Sequence, residues 1–228
     1  MTFIPTLDTD SKQRPRIPRA LDPVEIRVLG SLMEKQLSTP EYYPLTLNAL
    51  LAACNQKSNR EPVMELAESE VQRALDRLQD EKMVWRVMGG RAVRFDHNLD
   101  TVWHLNRREK ALLTLLFLRG PQTAGELRGR SDRLQTFDTV AEAEDLLREM
   151  SVHSEPLVRQ LARRPGQKEE RWAHLAGGAV VEEPAAPAAA EHDTRGGGEP
   201  LSVRVQRLEE RLSAMERALS ELKEKLGE

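Results

Sequence analysis

Apolar residues recur along this chain with two different periods, and their alternation marks out two similar blocks. Val24, Val28, Leu29 and Leu32 form a helical stripe behind Asp22-Pro23, where Asp suits the N-cap and Pro the first helical position. Thr39-Pro40 ends that helix. Leu45, Leu47, Leu50 and Leu51 predict a second helix reaching about Cys54, and a polar loop, residues 56–60, follows. Ser69 is the expected cap of a third, with Val71, Ala74, Leu75 and Leu78 on one face. The period then drops to two. Val84-Trp85-Arg86-Val87 and Ala92-Val93-Arg94-Phe95 flank Gly89-Gly90, a dipeptide free to turn at positive φ.

The plan repeats downstream. Residues 107–119 read as a helix through Leu112, Leu113, Leu115 and Leu116, broken by Gly120-Pro121. Thr123 caps a short helix over 124–130 with Leu127 at its centre. Thr139 opens another, in which Val140, Ala143 and Leu147 keep the relative spacing of Val71, Ala74 and Leu78. A strand over 157–161 meets a turn at Pro165-Gly166 and returns through Arg171-Trp172-Ala173-His174. Three helices and a hairpin, twice over, predict two tandem winged-helix domains, a helix-turn-helix variant. The expected fold class is mainly α with small β-hairpins (α+β), with domains at 21–104 and 105–176.

The flanks differ. Residues 1–20 carry Pro5, Pro15 and Pro18 among Lys12, Arg14, Arg16 and Arg19 and read as a flexible basic arm. Residues 177–200 are rich in Ala, Pro, Gly and Glu, too poor in apolar side chains to fold, and are expected to be a disordered linker. Over 201–228, Leu201, Val205, Leu208, Leu212, Met215, Leu219, Leu222 and Leu226 alternate spacings of four and three, the seam of a coiled coil. In a parallel pair Arg204 would face Glu209 of the other strand, and Arg211 would face Glu216; an antiparallel pair would bring like charges together. A homodimer through a parallel coiled coil is expected, with folding back onto the domains as the alternative.

Composition narrows the function. Over 228 residues, hydrophobic content is 39%, charged content 31% and aromatic content 4%, which disfavours an aromatic-lined pocket or a base-stacking platform. The net charge of −3 is not that of a protein that coats nucleic acid, so any such contact must come from local patches. A single cysteine suits a reducing compartment, and no run resembles a signal peptide or membrane span; a cytoplasmic protein without membrane contact is expected.

Enzyme chemistry is not indicated. His97, His104, His153, His174 and His192 form no ligand-spaced cluster with Cys54, which ends an apolar helix and reads as a small buried residue. Gly89-Gly90-Arg91 follows a helix and precedes a strand, the wrong order for a phosphate loop. No catalytic residue, metal or cofactor is assigned. Trp85, Trp103 and Trp172 lie on or beside strands and read as core.

Candidate nucleic-acid contacts are Lys57, Asn59 and Arg60 on the polar loop, and Gln72, Arg73 and Arg77 on the third helix. The first hairpin adds Arg86, Arg91 and Arg94, and the second adds Arg163, Arg164 and Lys168. Glu68, Glu70, Asp76 and Asp80 oppose the phosphate field. The second block's last helix, with Glu142, Glu144, Asp145 and Glu149, is better suited to a protein partner. The loop amides could equally hydrogen-bond their own backbone.

Three runs carry a family resemblance. They are Glu34-Lys35-Gln36 with residues 39–50, residues 53–64, and Pro165-Gly166-Gln167-Lys168-Glu169 with Arg171 and Ala173-His174-Leu175. Together they resemble the bacterial YceH-like proteins over residues 21–175. That resemblance implies the tandem winged-helix fold and supplies no catalytic residue. The leading expectation is a DNA-binding or DNA-associated regulator using the first domain and both hairpins. The alternative is a protein-interaction adaptor without DNA contact.

Overall fold

The computed structural model describes residues 15–89, 92–163, 166–167 and 169–178. Helix α1 (Pro23–Ser38) starts where the sequence demands: the Asp22 carboxylate accepts from the amides of Val24 and Glu25, and the Glu25 carboxylate accepts from the Asp22 amide. A single 3-10 turn, Pro40–Tyr42, leads into strand β1 (Leu45–Thr46) and helix α2 (Leu47–Cys54). Helix α3 (Glu68–Asp80) and strands β2 (Val84–Gly89) and β3 (Ala92–His97) complete the first set. The antiparallel sheet has the order β1-β3-β2, with Leu45 opposite Phe95 and Val84 opposite His97.

Two details depart from expectation. Leu45 belongs to a strand instead of the second helix. Ser69 is not the cap of α3; Ala67 holds that place, and its amide donates to the Glu70 carboxylate at 2.8 Å.

After the short helix α4 (Leu99–Val102), the second set runs through α5 (Arg107–Arg119), α6 (Ala124–Ser131), α7 (Val140–Ser151), β4 (Val158–Leu161) and β5 (Arg171–His174). Gln122 stands where β1 stood. Its backbone exchanges hydrogen bonds of 3.0 and 2.7 Å with Trp172 on β5, so both sets place a short segment between the first and second helices against the last strand. The result is a mixed α/β protein of helices and small antiparallel sheets.

The two sets share one core. Residues Glu25 to Met33 of α1 and Lys110 to Leu118 of α5 are all buried, which marks both as central helices rather than surface ones. They meet at Gly30, where a Cβ would lie 2.9 Å from Leu118 Cδ2 and 3.0 Å from Phe117 Cβ. Trp103 stacks edge-on against Phe117 (6.0 Å), and Phe117 against His174 (4.9 Å). The chain also closes on itself, the Leu21 amide donating to the Ala176 carbonyl at 2.8 Å.

The described part of the basic arm, residues 15–20, lies against this body. Ile17 packs on the core, the Trp103 indole donates to the Arg16 carbonyl, and Arg19 pairs with buried Glu25 at 2.7 Å. Trp103 and Trp172 are buried as expected, but Trp85 is not: it is 49% exposed. On β2 it points away from the face that Val84 and Arg86 share with the helices. The coiled-coil seam from Leu201 to Leu226 and the linker from residue 179 onward lie outside the described residues.

Candidate functional site

The residues singled out from sequence are brought to three separate places. The first is the polar loop after α2. Arg60 does not face solvent. Its side chain is 0% exposed and donates to the Ala53 carbonyl at the end of α2 (3.1 and 2.9 Å), to the Asn59 carbonyl (2.9 Å) and to both oxygens of Glu34 (3.2 and 2.6 Å). This guanidinium satisfies a helix terminus and a partly buried carboxylate, so it has nothing left for a phosphate. Arg27, also buried, reaches the Cys54 and Pro62 carbonyls at 3.0 and 2.6 Å. Burial, then the nearby Arg60 charge, lowers its pKa. Asn55 clamps both backbone groups of Leu66 at 2.9 Å.

The loop is therefore a self-bonded joint, as the second of the two sequence readings has it. It also docks on the second set: the Glu61 amide donates to the Leu118 carbonyl at 2.8 Å, and Arg119 donates to Asn59 Oδ1 at 3.3 Å. Asn59 takes φ of 57°, a left-handed conformation that Asn tolerates. Lys57 stays exposed, with no partner among the described residues.

The second place is the face made by α3 and the first hairpin. Most of its polar groups are engaged within the protein. Arg77 pairs with Asp22 and, at 2.8 Å, with Glu25. Burial alone would raise the Glu25 pKa, but Arg19, Arg77 and the Asp22 amide hold it down at about 2. Gln72 donates to Asp76 at 2.8 Å, and Arg86 pairs with the same carboxylate at 2.9 Å. Arg94 donates to the Pro44 carbonyl at 2.7 Å. Only Arg73 of this group is exposed with no partner among the described residues. Arg91 lies outside them.

Between α3, the start of α2 and the hairpin opens a cleft of about 460 Å³ lined by Leu47, Val93 and Phe95, with Thr46, Gln72 and Arg86 at its polar edge. Met88, opposite Val93 across the ladder, is 83% exposed, and Val93 is 40% exposed. Sequence reasoning missed this apolar character. Strand alternation did hold the signal: Val93 and Phe95 share one face, so one side of the hairpin tip is apolar beyond what the helices cover.

The third place is the second hairpin. Arg163 pairs with Glu170 at 3.6 Å, beside Glu144 and Glu169 around another cleft. Arg164 and Lys168 lie outside the described residues. Among the described residues no three His, Cys, Asp or Glu side chains are grouped to hold a metal ion, and no helix is long and apolar enough to cross a membrane. Burial raises the Cys54 pKa to about 11. His97 is buried among Gln36, Asp100 and Lys110. Its Nδ1 accepts from the Leu99 amide, so Nε2 carries the proton toward Gln36 Oε1 (2.9 Å), which also accepts from Lys110 Nζ (2.6 Å).

Fold and surfaces together define a small helix-and-hairpin protein built twice on one plan around a shared core. The chain belongs to the family described as "Protein of unknown function, DUF480", whose model matches residues 21–167. It is 44% identical over 214 residues to a UPF0502 protein of Acidovorax sp. (strain JS42), covering 92% of this chain and 95% of that one. It is 52% identical over 159 residues to a UPF0502 protein of Geobacter sulfurreducens, covering 69% and 73% respectively. These matches agree with the YceH-like resemblance drawn from residues 34–64 and 165–175.

Proposed function

We propose that this chain is a non-enzymatic tandem winged-helix adaptor that binds a protein partner through the α3–hairpin face of its first set. The element order, the β1-β3-β2 ladder and its echo at Gln122 support the winged-helix reading. One observation carries the functional choice. The hairpin exposes Met88 and Val93 beside an apolar cleft and Trp85 on its other face, while its described cations Arg86 and Arg94 are bonded within the protein. A phosphate-reading surface would need the reverse. The polar loop, counted with this face in the sequence, stands apart from it beside α5 and takes Lys57 and Asn59 with it.

The test places a photoreactive benzoylphenylalanine at Met88 in cells, with Val152, another exposed apolar position, as the control. Discrete protein adducts at Met88 and none at Val152 are expected. Adducts to nucleic acid, or the same pattern at both positions, would overturn the adaptor.

A DNA reading is favoured by one observation: on α3 Arg73 is exposed with no partner among the described residues, one turn before Asp76, whose exposed ion pair with Arg86 is worth at most about 1 kcal/mol and could reopen for a phosphate. A titration of random duplex against salt decides it. A slope corresponding to several released counterions, flattened by Arg73→Glu, supports DNA contact, and no binding at low salt removes it. Dimerisation through 201–228 is the accompanying proposal; sedimentation with and without that segment tests it.

A further inference from the structure

The chain carries a net charge of −3, yet cations gather along one concavity. It is a trough of about 940 Å³ between the two sets, with the end of α1 and the polar loop on one wall and α5 with the end of α6 on the other. Lys35, Lys57, Arg130 and Arg133 line it, against the carboxylates of Glu34 and Asp132. Glu34 is bonded from behind by buried Arg60. Two further guanidinium groups stand beside the lining residues. Arg107 donates to the Leu134 carbonyl and Arg119 to Asn59 Oδ1, both at 3.3 Å, and neither has a carboxylate partner among the described residues.

Donors here exceed the acceptors that the protein supplies. Lys57 and Arg133 are exposed with no partner among the described residues, and the Arg119 Nε is buried without one. Arg130 is held by Gln122 (2.5 Å) and Glu126 (3.3 Å), and Lys35 lies 3.5 Å from Glu34. Ser38, Gln56, Ser58 and Asn59 add hydroxyls and amides to the same walls. Lysine, arginine, serine, asparagine and glutamine are the side chains that hold phosphate oxygens in nucleic-acid complexes. The apolar lining is closed off: Leu115, Leu118 and Leu134 are only 6%, 1% and 6% exposed. A protein segment would therefore find no apolar pocket for an anchoring side chain. No aromatic ring lines the trough, so unpaired bases would have nothing to stack on. A duplex backbone needs neither, because it binds through its phosphates.

We propose that this trough seats the sugar-phosphate backbone of a nucleic-acid duplex without reading its sequence. Lys35 and Lys57 come from the first set and Arg130 and Arg133 from the second, so a strand lying in the trough touches both. The site exists only because the loop docks on α5, where the Glu61 amide donates to the Leu118 carbonyl at 2.8 Å. Arg119 takes Asn59 Oδ1 and leaves the amide donor of that side chain unpartnered among the described residues, free for a phosphate oxygen. Lys57 and Asn59 are then nucleic-acid contacts, but beside α6 and not α3. The trough shares no residue with the α3–hairpin face, so a protein held at Met88 and a duplex held here do not compete for side chains.

The probe is a fluorescein-labelled duplex of about twenty base pairs, made as DNA and as RNA, titrated with the full chain at rising salt and followed by anisotropy. Binding is expected, with unrelated sequences held within about twofold of one another; the tighter of the two duplexes names the source of the backbone. For DNA, four phosphate contacts predict that log K falls against log salt with a slope of about −3.6. Lys57→Gln with Arg133→Gln removes two of them and should bring the slope to about −1.8. Both side chains are exposed, so the fold should survive, and circular dichroism checks it. Lys82→Gln with Arg148→Gln, the same charge change outside the trough, is expected to leave the slope in place. No binding of either duplex at low salt overturns the proposal, as does a slope indifferent to the Lys57/Arg133 change. A slope lost with Arg73→Glu instead moves the contact to the α3–hairpin face and overturns the trough. Polyglutamate bound as tightly as the duplex, and released by the Lys57/Arg133 change, overturns it in favour of an acidic protein. Cross-linking at Met88 is read separately, so a failed hairpin face and a failed trough give different results.

Discussion

Arg60→Ala should destabilise the protein by roughly 3–5 kcal/mol, the range for removing one partner of a buried ion pair. Five hydrogen bonds disappear together: two to Ala53, one to Asn59 and two to Glu34. The Glu34 carboxylate, whose side chain is 13% exposed, is left with Lys35 at 3.5 Å as its nearest cation. Partial rehydration of Glu34 places the cost toward the lower end of the range. Against a total stability of about 5–15 kcal/mol this is a large fraction. With a urea slope of about 1–3 kcal/mol per molar, the unfolding midpoint should fall by about 1–3 M. Arg60→Lys should recover only part of the loss, because an ammonium keeps the charge but cannot bond Ala53 and both Glu34 oxygens at once. The double variant Arg60→Ala/Glu34→Gln should cost less than the sum of the singles. A midpoint for Arg60→Ala within about 0.3 M of the parent would refute the structural role and return this side chain to the ligand-contact set.

Four further outcomes follow from the packing. Gly30→Ala gains about 1 kcal/mol of helix propensity but drives a methyl into Phe117 Cβ and Leu118, for a net loss of about 1 kcal/mol; Gly30→Leu should lose about 3, and a stabilised Gly30→Ala in thermal melts would contradict the close crossing. Burial lowers the pKa of His97 and His174 from 6.5 to about 4, with Lys110 adding to the effect at His97 and Asp100 opposing it. Unfolding therefore takes up protons below about pH 6.5, and stability, complete above that, should fall by about 2 kcal/mol per histidine between pH 6.5 and 5; a flat urea midpoint over that window would be the contrary result. Cys54, with its thiol pushed up to about 11 and buried, should react with a disulfide reagent only after unfolding, and stoichiometric labelling of the native protein would refute this. Trp85→Phe should remove the acrylamide-accessible fraction of the fluorescence while the emission of Trp103 and Trp172 stays protected.

Helix positions were the most legible part of the chain, because caps and stripes are local. Asp22, Thr123 and Thr139 each cap the helix that the apolar spacing predicts. The two short pairings beside β3 and β5 were not legible: two residues at Leu45–Thr46 and one at Gln122 are too few to show a period. Direction was the harder loss. Arg60 and Arg77 sit among polar neighbours in the sequence and read as free surface cations, yet Arg60 is buried, Arg77 stays exposed, and both pair with carboxylates on α1, Glu34 and Glu25, some 26 and 52 residues away. Periodicity identifies a face without saying what covers it.

The packing of α1 on α5 has a consequence for how anything could be gripped at two points. Helices that approach this closely, with Gly30 set against Phe117 and Leu118, leave little free space at the crossing, so any sliding of one set on the other must displace packed side chains. For a partner touching both sets, a stiffer joint between them would leave less orientational entropy to lose when the second contact forms.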